Sequence, residues 1–118
     1  MLEKVNLADK LARFDEVFSS RIVGYYNDEK LQVAKTKGEF VWHSHPDTDD
    51  LFLVLAGRIT VETREGPIEV GEGELLVVPR GVEHRPVAEE EAHVLLIERR
   101  GTPNTGDADA APAPEVEI

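Results

Sequence analysis

The sequence of 118 residues lacks cysteine altogether. A chain without cysteine can form no disulfide framework and offers no thiolate to a metal ion. It also lacks an apolar run of about 20 residues, so we expect no membrane-spanning helix and no membrane partner. Its first residues include neither a basic segment nor an apolar one, which predicts that there is no secretory signal and that the protein is cytoplasmic.

Positive charge is scarce as well. The chain has 13 Lys and Arg residues against 24 Asp and Glu residues, and its formal net charge is -11. A protein that neutralises nucleic-acid phosphates needs a basic surface, so nucleic acid is not expected as a partner. Any metal ion would be bound by imidazole and carboxylate groups, which suit Fe, Mn, Ni, Zn or Cu without selecting among them.

One helix and many short strands are predicted. Apolar residues recur at spacings of three and four from Asn6 to about Phe18, which favours a short helix within residues 1–20 with Asn6 as its N-cap. We expect this segment to pack on a barrel formed by residues 21–100, where short apolar runs alternate with turns containing Gly or Pro, as in antiparallel sandwiches and barrels. Residues 101–118 are small, polar and rich in proline, which predicts a disordered tail.

Two details of the predicted barrel bear on the site. Phe40 to His45 is predicted as one strand, in which Val41, His43 and His45 share a face. Glu83 to Val87 and His93 to Glu98 are predicted as separate strands, because the glutamates at 89–91 favour a solvated turn between them.

Three of the four histidines lie in two short segments. His43 and His45 are followed by Asp50 at the start of the next strand, and His84 follows the turn that contains Pro79 and Gly81. Two imidazoles on one face of a strand can bind one divalent ion if a carboxylate and a third imidazole arrive from neighbouring strands. The alternative is a hydrogen-bonded pair of histidines at the barrel mouth without a metal ion.

Other polar residues near these segments have simpler interpretations. Asp49 competes with Asp50 for the same role, since adjacent residues of a strand point to opposite faces. His93 belongs to no motif and is predicted to be structural. Arg80 lies in a turn and Arg85 alternates away from His84, so both are predicted to be surface groups.

The two histidine segments resemble the paired signature of the cupin superfamily. The matching residues are Gly38, His43, His45, Asp50 and Gly57 in the first segment, and Gly73, Pro79, Gly81 and His84 in the second. The chain departs from the pattern in three ways. Four residues instead of five separate Gly38 from His43, Ala88 replaces a closing Asn, and Asp50 stands where the family usually has the longer Glu. The shorter carboxylate is expected to reach a metal ion through a water molecule or after a local shift.

The resemblance implies a fold and a set of functions. The fold is a small, single-domain, all-β antiparallel jelly-roll barrel, and the implied metal ligands are His43, His45, Asp50 and His84. One divalent transition metal in this site would serve an enzyme acting on a small sugar, keto or aromatic compound, of isomerase, dioxygenase or lyase type. The alternatives are a non-catalytic module that binds a small molecule or metal, and a vestigial site in a structural barrel. The resemblance also implies a homodimer.

Overall fold

The computed structural model describes residues 2–118, which form one short α-helix and eight β-strands. The helix α1 spans Leu7–Leu11, and the strands are β1 (Arg21–Tyr26), β2 (Glu29–Glu39), β3 (Asp50–Ala56), β4 (Arg58–Thr63), β5 (Gly66–Gly71), β6 (Leu75–Val78), β7 (His84–Arg99) and β8 (Val116–Glu117). The predicted β-barrel with a short N-terminal helix is thus confirmed. No helix in residues 2–118 has the length and apolar character needed to cross a membrane.

The strand β7 is the central strand of the barrel, because it pairs with three other strands. It runs antiparallel to β2 along most of its 16 residues. On its other side it pairs with β4 near its start and with β3 near its end. The remaining strands extend the sheet: β5 lies beside β4, β6 beside β3, β1 beside β2, and β8 beside β1.

The turn predicted at the three glutamates is wrong, because residues 89–91 belong to β7. They lie at an irregularity in the ladder, where Thr36 pairs with Ala92 and Gly38 with Ala88. Three residues of β7 therefore face one residue of β2. A bulge of this kind bends a strand without ending it, and it leaves the glutamate side chains exposed as expected.

Side chains point alternately to the two faces of each strand, and those that point into the barrel are mostly apolar. The buried core contains residues of six strands: Ala34, Phe52, Val54, Ile59, Val61, Val70, Val78, Ala88, Ala92 and Val94. In β3 the buried positions are Asp50, Phe52 and Val54. The two apolar residues thus determine the direction in which Asp50 points, and its carboxyl group lies inside the barrel.

The N-terminal segment covers part of the outer face of the barrel. The side chain of Asn6 accepts a hydrogen bond from the Asp9 amide at 3.0 Å, which confirms the predicted N-cap. The helix ends at Leu11, earlier than expected. Beyond it the chain turns at residues 12 and 13, and Phe14 packs with Leu11 and Val33 in a second apolar cluster, which outweighs continued helix formation.

The structure does not show the predicted disordered tail. Strand β8 pairs in parallel with β1, and the Ile118 amide donates to the Ile22 carbonyl at 3.0 Å. The buried ammonium of Lys30 donates to the Thr102 carbonyl at 2.7 Å and to Glu115 at 2.8 Å. A buried charge needs such partners, and the tail supplies them. The division of the chain at residues 20 and 100 stays a prediction.

Removing the Phe14 side chain tests the packing of the N-terminal segment. We expect Phe14→Ala to lower the free energy of unfolding by about 3 kcal/mol, since it deletes a buried aromatic ring. Leu2→Ala is the matched control, because Leu2 is fully exposed and its loss should change stability by less than about 0.5 kcal/mol. Urea unfolding measures both values. Equal stabilities of the two variants would show that the segment does not pack as described.

Candidate metal centre

Four side chains with metal-binding groups lie together inside the barrel. They are His43, His45, Asp50 and His84, and we call them the four-residue cluster. All four are buried, and each contributes one donor atom such that the four atoms lie within 4.8 Å of one another. The structure thus brings together all the residues that the sequence predicted for a metal site.

The segment that carries His43 and His45 is not the strand that the sequence predicts. Strand β2 ends at Glu39, and pairing resumes only at an isolated bridge between His43 and His84. Backbone hydrogen bonds of 3.0 and 2.9 Å join these two histidines. The Phe40 amide still donates to the Pro86 carbonyl at 3.1 Å, and the segment then leaves the ladder. The predicted alternation of side chains therefore fails at its start, where Phe40 contacts the His43 ring and Val41 is exposed.

Two of the imidazoles are oriented by their own backbone. The Nδ1 atom of His43 lies 2.9 Å from the Val41 carbonyl, and that of His84 lies 2.9 Å from the Val82 carbonyl. A carbonyl oxygen only accepts hydrogen bonds, so in the neutral form of each ring the proton is on Nδ1 and the lone pair is on Nε2. Burial, with a smaller effect of the neighbouring imidazoles, lowers the pKa of His43 to about 4. His43 is therefore neutral at pH 7, as a metal ligand must be.

Asp50 lies beside two of the imidazoles, and its route to a metal ion, through a water molecule or after a local shift, stays a prediction. Its Oδ2 atom is 3.4 Å from Nε2 of His45 and 3.8 Å from Nε2 of His84. Burial by itself raises the pKa of this carboxyl group, but the two imidazoles outweigh burial and hold the pKa below its ordinary value. A carboxylate thus lies among three imidazoles.

The cluster contains polar atoms whose hydrogen-bonding capacity is unused. Within the described residues, Nδ1 of His45, Oδ1 of Asp50 and Nε2 of His84 are buried and have no hydrogen-bond partner. An unsatisfied buried polar atom costs about 1–3 kcal/mol, so such groups need an explanation. A bound cation provides one for the carboxylate oxygen and for the His84 lone pair. Three imidazoles and one carboxylate also form a donor set that suits a divalent transition metal.

The other polar residues considered in the sequence lie outside the cluster. Asp49 points outward and accepts hydrogen bonds from the backbone and side chain of Arg80. His93 is half-buried and lies 2.9 Å from a carboxylate oxygen of Glu91. Arg85 lies beside the Trp42 ring and pairs with acidic groups of β2 and β4.

Sequence reasoning missed Glu98. Its side chain is 5% exposed, and its Oε2 atom lies 3.9 Å from Nε2 of His45. Its Oε1 atom accepts a hydrogen bond from the side-chain amide of Gln32 at 3.3 Å and lies 3.6 Å from the Lys30 ammonium. Burial, and then the charge of Asp50, raise the pKa of Glu98 to about 8. Alternation in β7 could have found it, because Val94 and Leu96 place residue 98 on the inner face.

A small cavity adjoins the cluster. Its volume is about 50 Å³, and its wall is mainly aromatic and aliphatic, with Phe18, Phe40, Phe52, Val94 and Leu96. His43, Asp50, Glu98 and Asn104 also border it. Since a water molecule needs about 10–15 Å³ by this measure, the cavity has room for a few water molecules or a ligand of a few non-hydrogen atoms.

Comparison with known proteins gives a consistent family match. The family model described as a cupin domain matches residues 30–98, so residues 99–118 lie outside it. A cupin-2 domain protein from Shewanella frigidimarina, known from its crystal structure, is 41% identical. Its TM-score is 0.80, and the match covers 81% of this chain and 94% of that chain.

Two curated proteins are also similar in sequence. The uncharacterized protein YdbB of Bacillus subtilis (strain 168) is 37% identical over 60 residues, which are 50% of this chain and 53% of YdbB. The "Putative dioxygenase SSO1533" of Saccharolobus solfataricus is 32% identical over 95 residues, 75% of this chain and 24% of that protein. The matches thus span about half and about a quarter of the lengths of these relatives.

The pH dependence of stability tests the environment of Glu98. Its pKa in the folded protein, about 8, exceeds its ordinary value of 4.5, so the folded state binds the proton more tightly. The resulting stability is present at low pH and is lost as the pH rises towards 8. Between pH 6.5 and 8, where the depressed pKa of His43 has little effect, we expect the metal-free protein to lose on the order of 1 kcal/mol.

Glu98→Gln should remove this loss, because an amide does not ionise. The matched control is Glu90→Gln, at an exposed position of the same strand, which should keep the wild-type slope. Urea unfolding of the metal-free proteins at pH 6.5 and 8 measures the difference. The same slope in wild type and Glu98→Gln would contradict the description of this carboxyl group.

Proposed function

Since this chain belongs to the cupin family, we propose that its four-residue cluster binds one divalent transition-metal ion inside the barrel. The observation that carries the proposal is the convergence of four buried donor atoms, of which Nε2 of His84 and Oδ1 of Asp50 have no hydrogen-bond partner within residues 2–118. Fe, Mn, Ni, Zn and Cu all accept imidazole and carboxylate ligands.

The residues around the cluster prepare it for such an ion. The carbonyls of Val41 and Val82 set the protonation and direction of two imidazoles before any ion arrives. When bound, the ion would polarise an oxygen of a ligand or lower the pKa of a water molecule. The wall of the adjoining space is mainly apolar, and such surroundings lower the local dielectric constant and strengthen electrostatic interactions there.

We propose as the first candidate function a metal-dependent enzyme that acts on a small aromatic, keto or sugar compound. The reaction would be of isomerase, dioxygenase or lyase type. The curated relative named as a putative dioxygenase supports this candidate, although the match covers a quarter of it. Glu98 supports it as well, since its carboxyl group holds a proton at neutral pH beside the cavity and can donate it in a hydrogen bond to a ligand.

The alternative is a non-catalytic module that binds a metal ion or a small ligand. The size of the cavity favours it, because about 50 Å³ leaves little room for a substrate beside an ion. The contacts of Glu98 favour it too, since Gln32 and Lys30 already engage one oxygen of that carboxyl group.

The homodimer stays a prediction. Leu75 and Val77 support it, because their side chains are exposed on the outer face of the edge strand β6.

Metal analysis tests the binding site. We expect protein purified without chelator, or reconstituted with Fe(II), Mn, Ni or Zn, to contain about one ion per chain. His43→Ala combined with His84→Ala should abolish binding, since two of four ligands are lost. His93→Ala is the matched control, because His93 lies outside the cluster, and it should keep full occupancy. The absence of any ion from the wild type after reconstitution would contradict the proposal.

A substrate screen separates the two candidate functions. Metal-loaded protein is incubated with sugars, keto acids and aromatic diols, and product formation is followed by mass spectrometry. An enzyme should give turnover that disappears in the His43→Ala, His84→Ala variant. A binding module should give no product, while a compound that binds should raise the unfolding temperature of the metal-loaded protein.

A further inference from the structure

The C-terminal tail contacts the segment that carries two of the proposed ligands. Ser44 lies between His43 and His45. The Asp107 carboxylate accepts hydrogen bonds from the Ser44 amide at 2.6 Å and from the Ser44 hydroxyl at 2.9 Å. The Asp107 amide donates to the Ser44 carbonyl at 3.0 Å. Three hydrogen bonds therefore join one residue of the tail to the residue between the two histidines.

These hydrogen bonds occupy an edge that would otherwise be unpaired. The backbone of His43 pairs with His84, and the His45 carbonyl accepts from the Gly81 amide at 2.9 Å. The amide and carbonyl of Ser44 point to the opposite side, where Asp107 takes the place of a neighbouring strand. The segment is thus held on one side by the barrel and on the other by the tail.

Gly106 allows the tail to approach this closely. A Cβ atom at residue 106 would overlap the Ser44 carbonyl and would lie 3.1 Å from Cδ2 of the His43 ring. The φ angle of Gly106 is +53°, in the left-handed region that favours glycine. The tail therefore packs against a ligand ring as well as against the backbone beside it.

The tail is anchored on both sides of this contact. Lys30 binds Thr102 before it and Glu115 after it. Between these anchors, the Asn104 side chain donates to the Phe18 carbonyl at 3.3 Å and accepts from the Ala113 amide at 2.9 Å. The position of Asp107 thus follows from contacts along the whole tail.

We propose that Asp107 is a positioning residue of the metal site. By fixing Ser44, it holds His43 and His45 in the orientation in which their rings meet His84 and Asp50. The Ser44 amide and hydroxyl also keep the pKa of Asp107 below its ordinary value, so the carboxylate is ionised and accepts both hydrogen bonds. The inference rests on the proposed metal site, but the positioning residue itself, Asp107, lies outside the family match.

The test compares the affinity of the full-length protein and its variants for Co²⁺, by competition with a chromophoric chelator. We expect Asp107→Ala to raise the Kd about 10-fold or more, as the loss of groups that orient ligands does. The visible spectrum of bound Co²⁺ should change, since the ligand geometry is relaxed. In the metal-free protein, hydrogen exchange of the Ser44 amide should become faster.

Two further variants separate positioning from charge. Asp109→Ala removes the same charge two residues away at an exposed position and should leave the affinity and spectrum unchanged. Asp107→Asn should restore most of the affinity, because an amide can accept from the Ser44 amide and donate to its hydroxyl. Thermal unfolding checks that each variant is folded.

The outcomes distinguish the two proposals. If the wild type binds Co²⁺ and Asp107→Ala matches its affinity and spectrum, the positioning role is wrong and the metal site stands. An equal loss in Asp109→Ala would assign the effect to charge and would also overturn the positioning role. If the wild type binds neither Co²⁺ nor the metals named above, the metal site and the positioning role fail together.

Discussion

The curvature of β7 is the constraint on which the rest of the site depends. His84 is its first residue and Glu98 its second to last, yet Asp50 lies 3.8 Å from His84, and His45 lies within 4 Å of both Asp50 and Glu98. Both ends of one strand therefore meet at the same place. An extended strand of 16 residues would separate its ends by about 50 Å, so the bulge at residues 89–91 and the curved ladder with β2 bring them together.

The charges inside the barrel follow from this convergence. Two carboxyl groups, Asp50 and Glu98, lie close together with little solvent. The imidazoles keep the pKa of Asp50 low, and the resulting negative charge adds to burial in raising the pKa of Glu98. Two neighbouring carboxyl groups thus differ in protonation at neutral pH because only one of them is surrounded by imidazoles. A cation bound to the cluster would lower the pKa of both carboxyl groups.

The parts of the fold that the sequence predicted are those determined locally. Turn residues such as Pro79 and Gly81 predicted where strands stop. The four residues of the cluster were predicted by the resemblance of the two histidine segments to the cupin signature. The errors occur where contacts between residues far apart in the sequence determine the structure. Phe14 packs against Val33 and so shortens the helix, and Lys30 holds the tail in place through Thr102. Alternation with Val94 and Leu96 places Glu98 on the inner face, but the groups that accompany its carboxyl group, Lys30 and Gln32, come from the distant strand β2.

The short strand β8 has an effect on the sheet as a whole. Without it, β1 would be an edge strand with free amide and carbonyl groups at Arg21 and Ile22, where the tail now pairs. Free edges of this kind are where sheets of different molecules join and aggregate. The last residues of the chain therefore protect the barrel from association along this edge, so trimming them would promote aggregation even where the core remained intact.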